Sequence, residues 1–329
     1  MNAPDTEVAD TGSADTGSAD TEPVVVAGTI VTARDEIDDD DPGRASLPGA
    51  FRPRWMGQRG RRRTGRRMRR SGVVAVWMLV VTTVVLLVLP TLLSLTESEI
   101  AGTPFAEPLG EQFLGTDSQG RDVAERALLG MRVSWFAALA VIAVGVTIGG
   151  MIGLVSGFSG GIVDAVLMRL TDAALALPGP LVALAVVAAL GPSLKNTLIA
   201  VALTWWPWYA RIVRSQVRAL MGRPHVEAAR AGGLSRTRVA LVHVVPGTLS
   251  AVLVAASLDV GAVILVLAGL SFLGLGSPAP AAELGAMTAQ GLTYLFNAPW
   301  VAVVPALGLF LLAVLANFVG DAMSDALEA

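Results

Sequence analysis

The chain has 329 residues, 53% of them hydrophobic and 16% charged, with a net charge of −3 and no cysteine. Soluble domains carry about 25% charged residues, so this composition argues against an ordinary soluble enzyme. The missing cysteine argues against a disulfide scaffold or a thiolate zinc domain.

Charge is segregated along the chain. Residues 1–41 hold 12 of the 27 acids and one base, Arg34, whereas residues 42–71 hold 11 of the 24 bases and no acid. Residues 1–58 read as a disordered acidic tail, with a short Asp-Thr-Gly-Ser-Ala repeat and the run Asp35–Asp41. Residues 59–72 form a basic segment containing eight arginines between Arg59 and Arg70. An arginine cluster beside a charge-free apolar run points to a cytoplasmic flank on anionic lipid rather than to nucleic acid.

Six stretches meet or approach the ~20 apolar residues that a bilayer core requires. They are 73–95, about 133–157, about 166–191, about 195–212, about 246–272 and about 299–320. Segments this apolar satisfy their backbone groups in lipid only as helices. No ten-residue alternation suggests a β-barrel. With the N-terminus inside, residues 96–132 and 273–298 lie outside, and 213–245 lie inside. The inner loop carries Arg214, Arg218, Arg223, Arg230, Arg236 and Arg238 against Glu227 alone, while 273–298 has no Lys or Arg. That asymmetry places both termini, including residues 322–329, in the cytoplasm. The fold expected is all-α and polytopic, with six transmembrane helices.

Within the inner loop, Pro224 suits the first helical position, and Glu227 favours the positive end of the helix dipole. Gly232 and Gly233 stop the helix, and Ser235 can cap the next one. This predicts a two-turn helix over 224–231, on which Glu227 and Arg230 can pair. Alone it would be too short to be stable, so it needs a surface to pack on.

Glu227-Ala228-Ala229, then Gly233, then Pro246, resembles the EAA loop of bacterial ABC import permeases. Leu114–Asp122, Leu167–Pro178, Pro207–Arg214, Ser271–Gly276, Ala298–Trp300 and Gly320–Asp325 are similar to the C-type subunit of the peptide/nickel branch. The resemblance covers roughly residues 75–326. It implies a type I ABC importer domain, with a permease core over 133–321. It also implies an ATPase-coupling site formed by Pro224, Glu227, Ala228, Ala229, Arg230, Gly232, Gly233 and Pro246. The implied partners are a second, pseudo-symmetric permease, two ABC ATPase subunits or one fused tandem, and an extracytoplasmic solute-binding protein. ATP and Mg would sit in the ATPases, since this chain has no phosphate-binding glycine loop before its only lysine, Lys195. The implied cargo is a di- or oligopeptide, with nickel or another small solute as the alternative. Two positions depart from the family pattern: Leu267 replaces an acidic residue, and His243 replaces an isoleucine.

Asp259 falls inside the fifth span. An intramembrane carboxylate is costly, so it is a candidate for the translocation pathway or for a helix pairing. Arg169 and Asp172 are spaced for a local i,i+3 pair. Trp208, Tyr209 and Trp300 read as interfacial anchors, and Pro178, Pro207 and Pro305 as kinks. Gly157–Gly161 fits G-x-S-x-G, which would make Ser159 the nucleophile of an intramembrane protease, with His225 or His243 as base. A secondary transporter or channel is the other rival class, but it would usually show more midplane ionisable groups than Asp259. No metal-binding motif is visible.

Overall fold

Asp122 sets the start of the longest helix. Its carboxylate Oδ1 accepts the N–H groups of Ala124 and Glu125 at 2.7 and 3.1 Å, satisfying donors that an uncapped helix leaves free. In the computed structural model, which describes residues 58–110 and 112–327, helix α2 (Val123–Ser159) follows. It begins well before the span expected at 133–157, because its first turns are polar and only the cap marks them.

The other helices are α1 (Gln58–Leu92), α3 (Gly161–Leu175), α4 (Gly179–Leu190), α5 (Leu194–Met221), α6 (Pro224–Ala231), α7 (Arg236–Val239), α8 (Val245–Phe272), α9 (Leu284–Leu292) and α10 (Trp300–Leu327). A π-helical turn, Ala240–Val244, fuses α7 to α8. The acidic tail lies outside the described residues. Helix α1 continues the first span back through the arginine cluster.

Val123–Ser159, Arg236–Phe272 and Trp300–Asp325 are each long and apolar enough to cross a bilayer, and α3 with α4 makes a fourth, broken span. Helix α1 contributes the apolar stretch Val76–Leu92. Helix α5 has 28 residues, about 40 Å at 1.5 Å per residue. These are the six segments read from the sequence, and the chain is an all-α polytopic membrane protein.

The third span is not the continuous helix expected over 166–191. It bends by 82° between Leu175 and Gly179. Pro178, without an N–H and with a fixed φ, ends the first piece and caps the second. Pro207 and Pro305, in contrast, sit inside the continuous helices α5 and α10. The fourth span also differs. Helix α5 runs on past 212 to Met221, since Arg211, Arg214 and Arg218 end the hydropathy but not the helix.

What draws α2 and α5 together is a row of glycines. Gly145, Gly149, Gly153 and Gly157 recur every four residues and so share one face of α2. The backbone of α5 lies directly on that face. A Cβ at Gly149 would collide with the Trp206 carbonyl oxygen, and one at Gly153 would stand 2.5 Å from that of Ala210. At Gly157 it would meet Val217 Cγ1 at 2.6 Å. Lipid removes the hydrophobic drive between helices, so this close backbone contact supplies association through packing.

Trp135, Tyr209, Ile264 and Leu284 fill the core of the bundle and are fully buried. The Trp135 indole N–H donates to Thr83 Oγ1 at 3.1 Å and ties α2 to α1. Val144, Ile148, Met151 and Val155 on α2, and Phe310 and Phe318 on α10, point outwards. An outward apolar face suits a hydrocarbon surround.

Gly150 faces open space, and a Cβ added there would meet no heavy atom within 4 Å. Gly149→Leu should therefore destabilise the bundle by about 3 kcal/mol or more through overpacking, while Gly150→Leu should leave it folded. Thermal unfolding of the two variants in detergent, followed by tryptophan fluorescence, checks the contrast.

Candidate functional site

Gly222 ends α5, and Pro224 opens α6 as its first residue. The helix runs from Pro224 to Ala231, the bounds expected from its start and stop residues. Val226 is its one buried side chain, packed with Val213, Val217 and Leu220 of α5 and Val239 and Val244 beyond. Glu227, Ala228 and Arg230 stay exposed, as do Pro224, Gly232 and Gly233, and Ala229 is half-buried. The short helix is thus held by a single apolar contact and presents the rest of its surface outwards.

The helix stop follows the expected geometry. Gly233 takes φ +83°, the left-handed region that an L side chain resists. Its N–H donates to the Arg230 carbonyl at 3.0 Å, and Leu234 N–H donates to that of Ala229 at 3.2 Å. Ser235 then caps α7, its Oγ accepting the Arg238 N–H at 3.4 Å. No ion pair joins Glu227 to Arg230 among the described residues.

Pro246 follows the π turn after one residue, Val245. Proline cannot donate to the carbonyl four residues back and its ring collides with that oxygen, so a wider turn ahead of it relieves both faults. His243 lies in this turn and faces His225 of α6, with ring centroids 6.2 Å apart and planes inclined at 63°. Ser159 ends a helix rather than a strand and lines a cavity of about 220 Å³ with Phe158, Met221, Arg230, Arg236 and Val239. Neither histidine lines that cavity, and the nucleophile-elbow context is absent.

Immediately before α6, three helices meet at Asp164. Arg214 grips its carboxylate with two hydrogen bonds, of 2.5 and 2.8 Å. Arg218 and the Ser156 hydroxyl donate to it as well. The cluster joins the end of α2, the start of α3 and the lower part of α5. Nothing in local spacing marks it, because Asp164 and Arg214 are separated by 50 residues.

The local Arg169–Asp172 pair does not form. Asp172 pairs instead with Arg211 of α5 at 2.6 Å, because the bend at Pro178 lays α3 along that helix. Tyr209 is no interfacial anchor either: it is fully buried, and its hydroxyl donates to Asp259 Oδ2 at 2.7 Å. The Trp205 indole N–H donates to the same oxygen at 3.3 Å. Asp259 is half-buried and links α8 to α5. Trp300 donates to the Thr116 carbonyl at 3.1 Å and fastens the loop before α2 onto α10. Trp208 remains exposed, as an anchor would.

The segment between α8 and α10 holds a buried carboxyl that sequence reading missed. Glu283 is 3% exposed, at the start of α9. A Cβ on Gly276 would collide with Ser271 Oγ and stand 2.6 Å from Glu283 Oε2, so the Ser271–Gly276 motif makes room for this carboxyl. Burial pushes Glu283 above the usual carboxylate range, partly opposed by the nearby Ser271 hydroxyl and the Ser277 and Gly285 backbone.

The family described as the binding-protein-dependent transport system inner membrane component matches residues 149–329. A protein of Escherichia coli (strain K12), named "Probable D,D-dipeptide transport system permease protein", is 36% identical over 280 residues, 81% of this chain and 94% of that one. The chain belongs to this family of transport permeases. Another member, the dipeptide transport system permease protein of Alkalihalophilus pseudofirmus, is 34% identical over 267 residues, 80% of this chain and 88% of its own. The nickel transport system permease protein of Escherichia coli (strain K12) is 39% identical over 221 residues, 67% of this chain and 80% of that one. A chain in the crystal structure of an amino acid ABC transporter with histidines shares the fold. Its TM-score is 0.50 at 16% identity, covering 61% of this chain and 94% of that chain. The permease is therefore a multi-pass inner membrane transport component and not an enzyme.

Two outcomes are expected for this permease. Asp164→Asn weakens charged hydrogen bonds worth about 1.5–3 kcal/mol, so its thermal midpoint in detergent should fall clearly below that of the parent. For Glu283, the folded chain binds the proton more tightly than the unfolded chain does. Its stabilising contribution is full below the ordinary glutamate pKa and is lost as pH rises through the elevated value. The parent midpoint should decline across that window, whereas Glu283→Gln should show a flatter profile and match or exceed the parent at neutral pH.

Proposed function

We propose that this permease is one of two membrane subunits of an ATP-driven importer of di- or oligopeptides, and that α6 is its point of attachment to the ATPases. The observation that carries the proposal is the seating of α6: one buried residue, Val226, against exposed Glu227, Ala228 and Arg230. A helix held so lightly needs a second surface to be rigid. A groove on a nucleotide-hydrolysing subunit supplies that surface. The coupling residues are Pro224, Glu227, Ala228, Ala229, Arg230, Gly232, Gly233 and Pro246.

In this reading α6 and both termini face the cytoplasm, in line with the arginine excess of residues 213–245. Two ATPase subunits, or one fused tandem, bind ATP and Mg there. A second permease completes the pathway, and a solute-binding protein delivers cargo to segments 96–132 and 273–298. Nucleotide-driven closure of the ATPases biases the bundle between two states. Because α5 runs unbroken into the loop and is clamped to α2 and α3, displacement of α6 reaches Asp259 through a stiff rod. Asp259 lines the path, with Tyr209 and Trp205 fixing one of its oxygens.

The relatives named for D,D-dipeptide and dipeptide transport support a peptide cargo. The nickel relative, at 39% identity, supports a second reading with a metal cargo on the same architecture. Uptake of a labelled dipeptide and of labelled nickel by cells carrying the complete transporter separates the two.

Glu227→Lys reverses the charge at the head of α6, and Gly233→Val forces a β-branched residue into the left-handed region. Each should lower uptake by about tenfold or more, corresponding to roughly 1.4 kcal/mol or more in the coupled step, without reducing the amount of chain in the membrane. Normal uptake by both would reject α6 as the coupling element. Mild copurification should bring down a P-loop ATPase and a second permease.

A further inference from the structure

The loop that precedes α2 and the first turns of that helix bury two arginines whose donors are not all matched. Arg121 and Arg126 are 5% and 3% exposed, and Asp117 between them is 7% exposed. Asp117 is already engaged by three hydrogen bonds. Its Oδ1 accepts the N–H groups of Gln119 and Arg121 at 2.8 and 3.1 Å, and its Oδ2 accepts Arg121 Nε at 2.7 Å. Arg126 Nε stands 3.5 Å from that Oδ2, too long for a good hydrogen bond.

The other acids nearby do not line the cavity that these arginines share. Asp122 spends its carboxylate on the first turn of α2. Glu97 meets Arg126 through its backbone carbonyl, as does Pro280 at 3.1 Å. Two guanidinium donors, Arg121 Nη1 and Arg126 Nε, find no acceptor among the described residues. Buried charged donors normally have partners.

Both arginines line one small cavity, of about 30 Å³. Asp117 is on its wall, and Gln290 of α9 and Tyr294 just beyond it stand at its other side. A glutamine amide and a phenol can each donate a hydrogen bond. Two guanidiniums and one carboxylate line the cavity, a local excess of positive charge that a small monovalent anion offsets. The volume suits a water-sized or halide-sized occupant and is too small for a phosphate with its hydration. A cation would face like charge.

We propose that Arg121 and Arg126 hold a small monovalent anion of halide size in this cavity, pinning the loop before α2 to the segment from α9 to α10. The site is remote from α6 and does not depend on which cargo the permease carries. Its role is structural: the anion adds a bridge between segments that also meet through the Trp300–Thr116 hydrogen bond, the Arg126 contact with Pro280 and the Phe105–Tyr294 ring contact.

The full-length chain, purified in detergent and crystallised from bromide, tests the site directly. One anomalous peak should lie within hydrogen-bond distance of Arg121 Nη1 and Arg126 Nε. In solution, replacing gluconate by chloride at constant ionic strength should raise the thermal midpoint by about 2–4 °C in a saturable manner. Arg121→Gln should abolish that dependence. If this variant does not fold, the bromide peak in the parent chain decides. Bromide peaks elsewhere but none in the cavity, or a midpoint indifferent to chloride, would overturn the proposal. So would a partner carboxylate filling the cavity in the assembled transporter. None of these results bears on whether Glu227→Lys uncouples uptake, so this site and the coupling reading stand or fall separately.

Discussion

The close approach of α2 and α5 is the contact on which the rest of the bundle depends. Glycines at 145, 149, 153 and 157 remove every side chain that would hold the two backbones apart. A membrane bundle cannot rely on expelling water from between its helices, so it gains cohesion from contacts of this kind. The seam runs from Tyr209 down to Val217, the part of α5 that leads into the loop bearing α6. Fixing α5 on α2 fixes where that loop emerges.

Helix α5 is also where the charges of the bundle are resolved. Asp164 and Asp172 of α3 meet Arg214, Arg218 and Arg211, and Asp259 of α8 meets Tyr209 and Trp205. Two of these carboxylates come from α3 and one from α8, and all three find donors on this one helix. Rotation of α5 alone would break all of these pairings together. The glycine seam and the Asp164 cluster thus hold α2, α3 and α5 to one another.

Much of this was legible in the sequence because it rests on local chemistry. Pro224 and Gly232-Gly233 bound α6 correctly, since caps and stops act within a few residues. Helix α8 matches the fifth span within a residue, and α10 starts where the sixth was expected but runs on to Leu327. The errors arose where tertiary partners decide. Hydropathy has no direction, so it ran α3 and α4 together across an 82° bend. Spacing suggested that Asp172 pairs with Arg169, but the fold brings Arg211 closer. Arg121, Arg126 and Glu283 carry no local signal of burial, which depends on segments far away in the chain. The resemblance to import permeases supplied the meaning of the loop, which helix rules alone left open.

The π turn at Ala240–Val244 sets the phase of everything after it. Such a turn is geometrically a one-residue insertion into a regular helix. One residue corresponds to about 100° of rotation. The face that α8 shows to α5 is therefore chosen by this turn and not by the sequence of α8 alone. Asp259, which meets Tyr209, lies about four turns beyond that step. The orientation of a residue deep in the membrane is thereby dictated at the surface, next to the segment where an outside force would be applied.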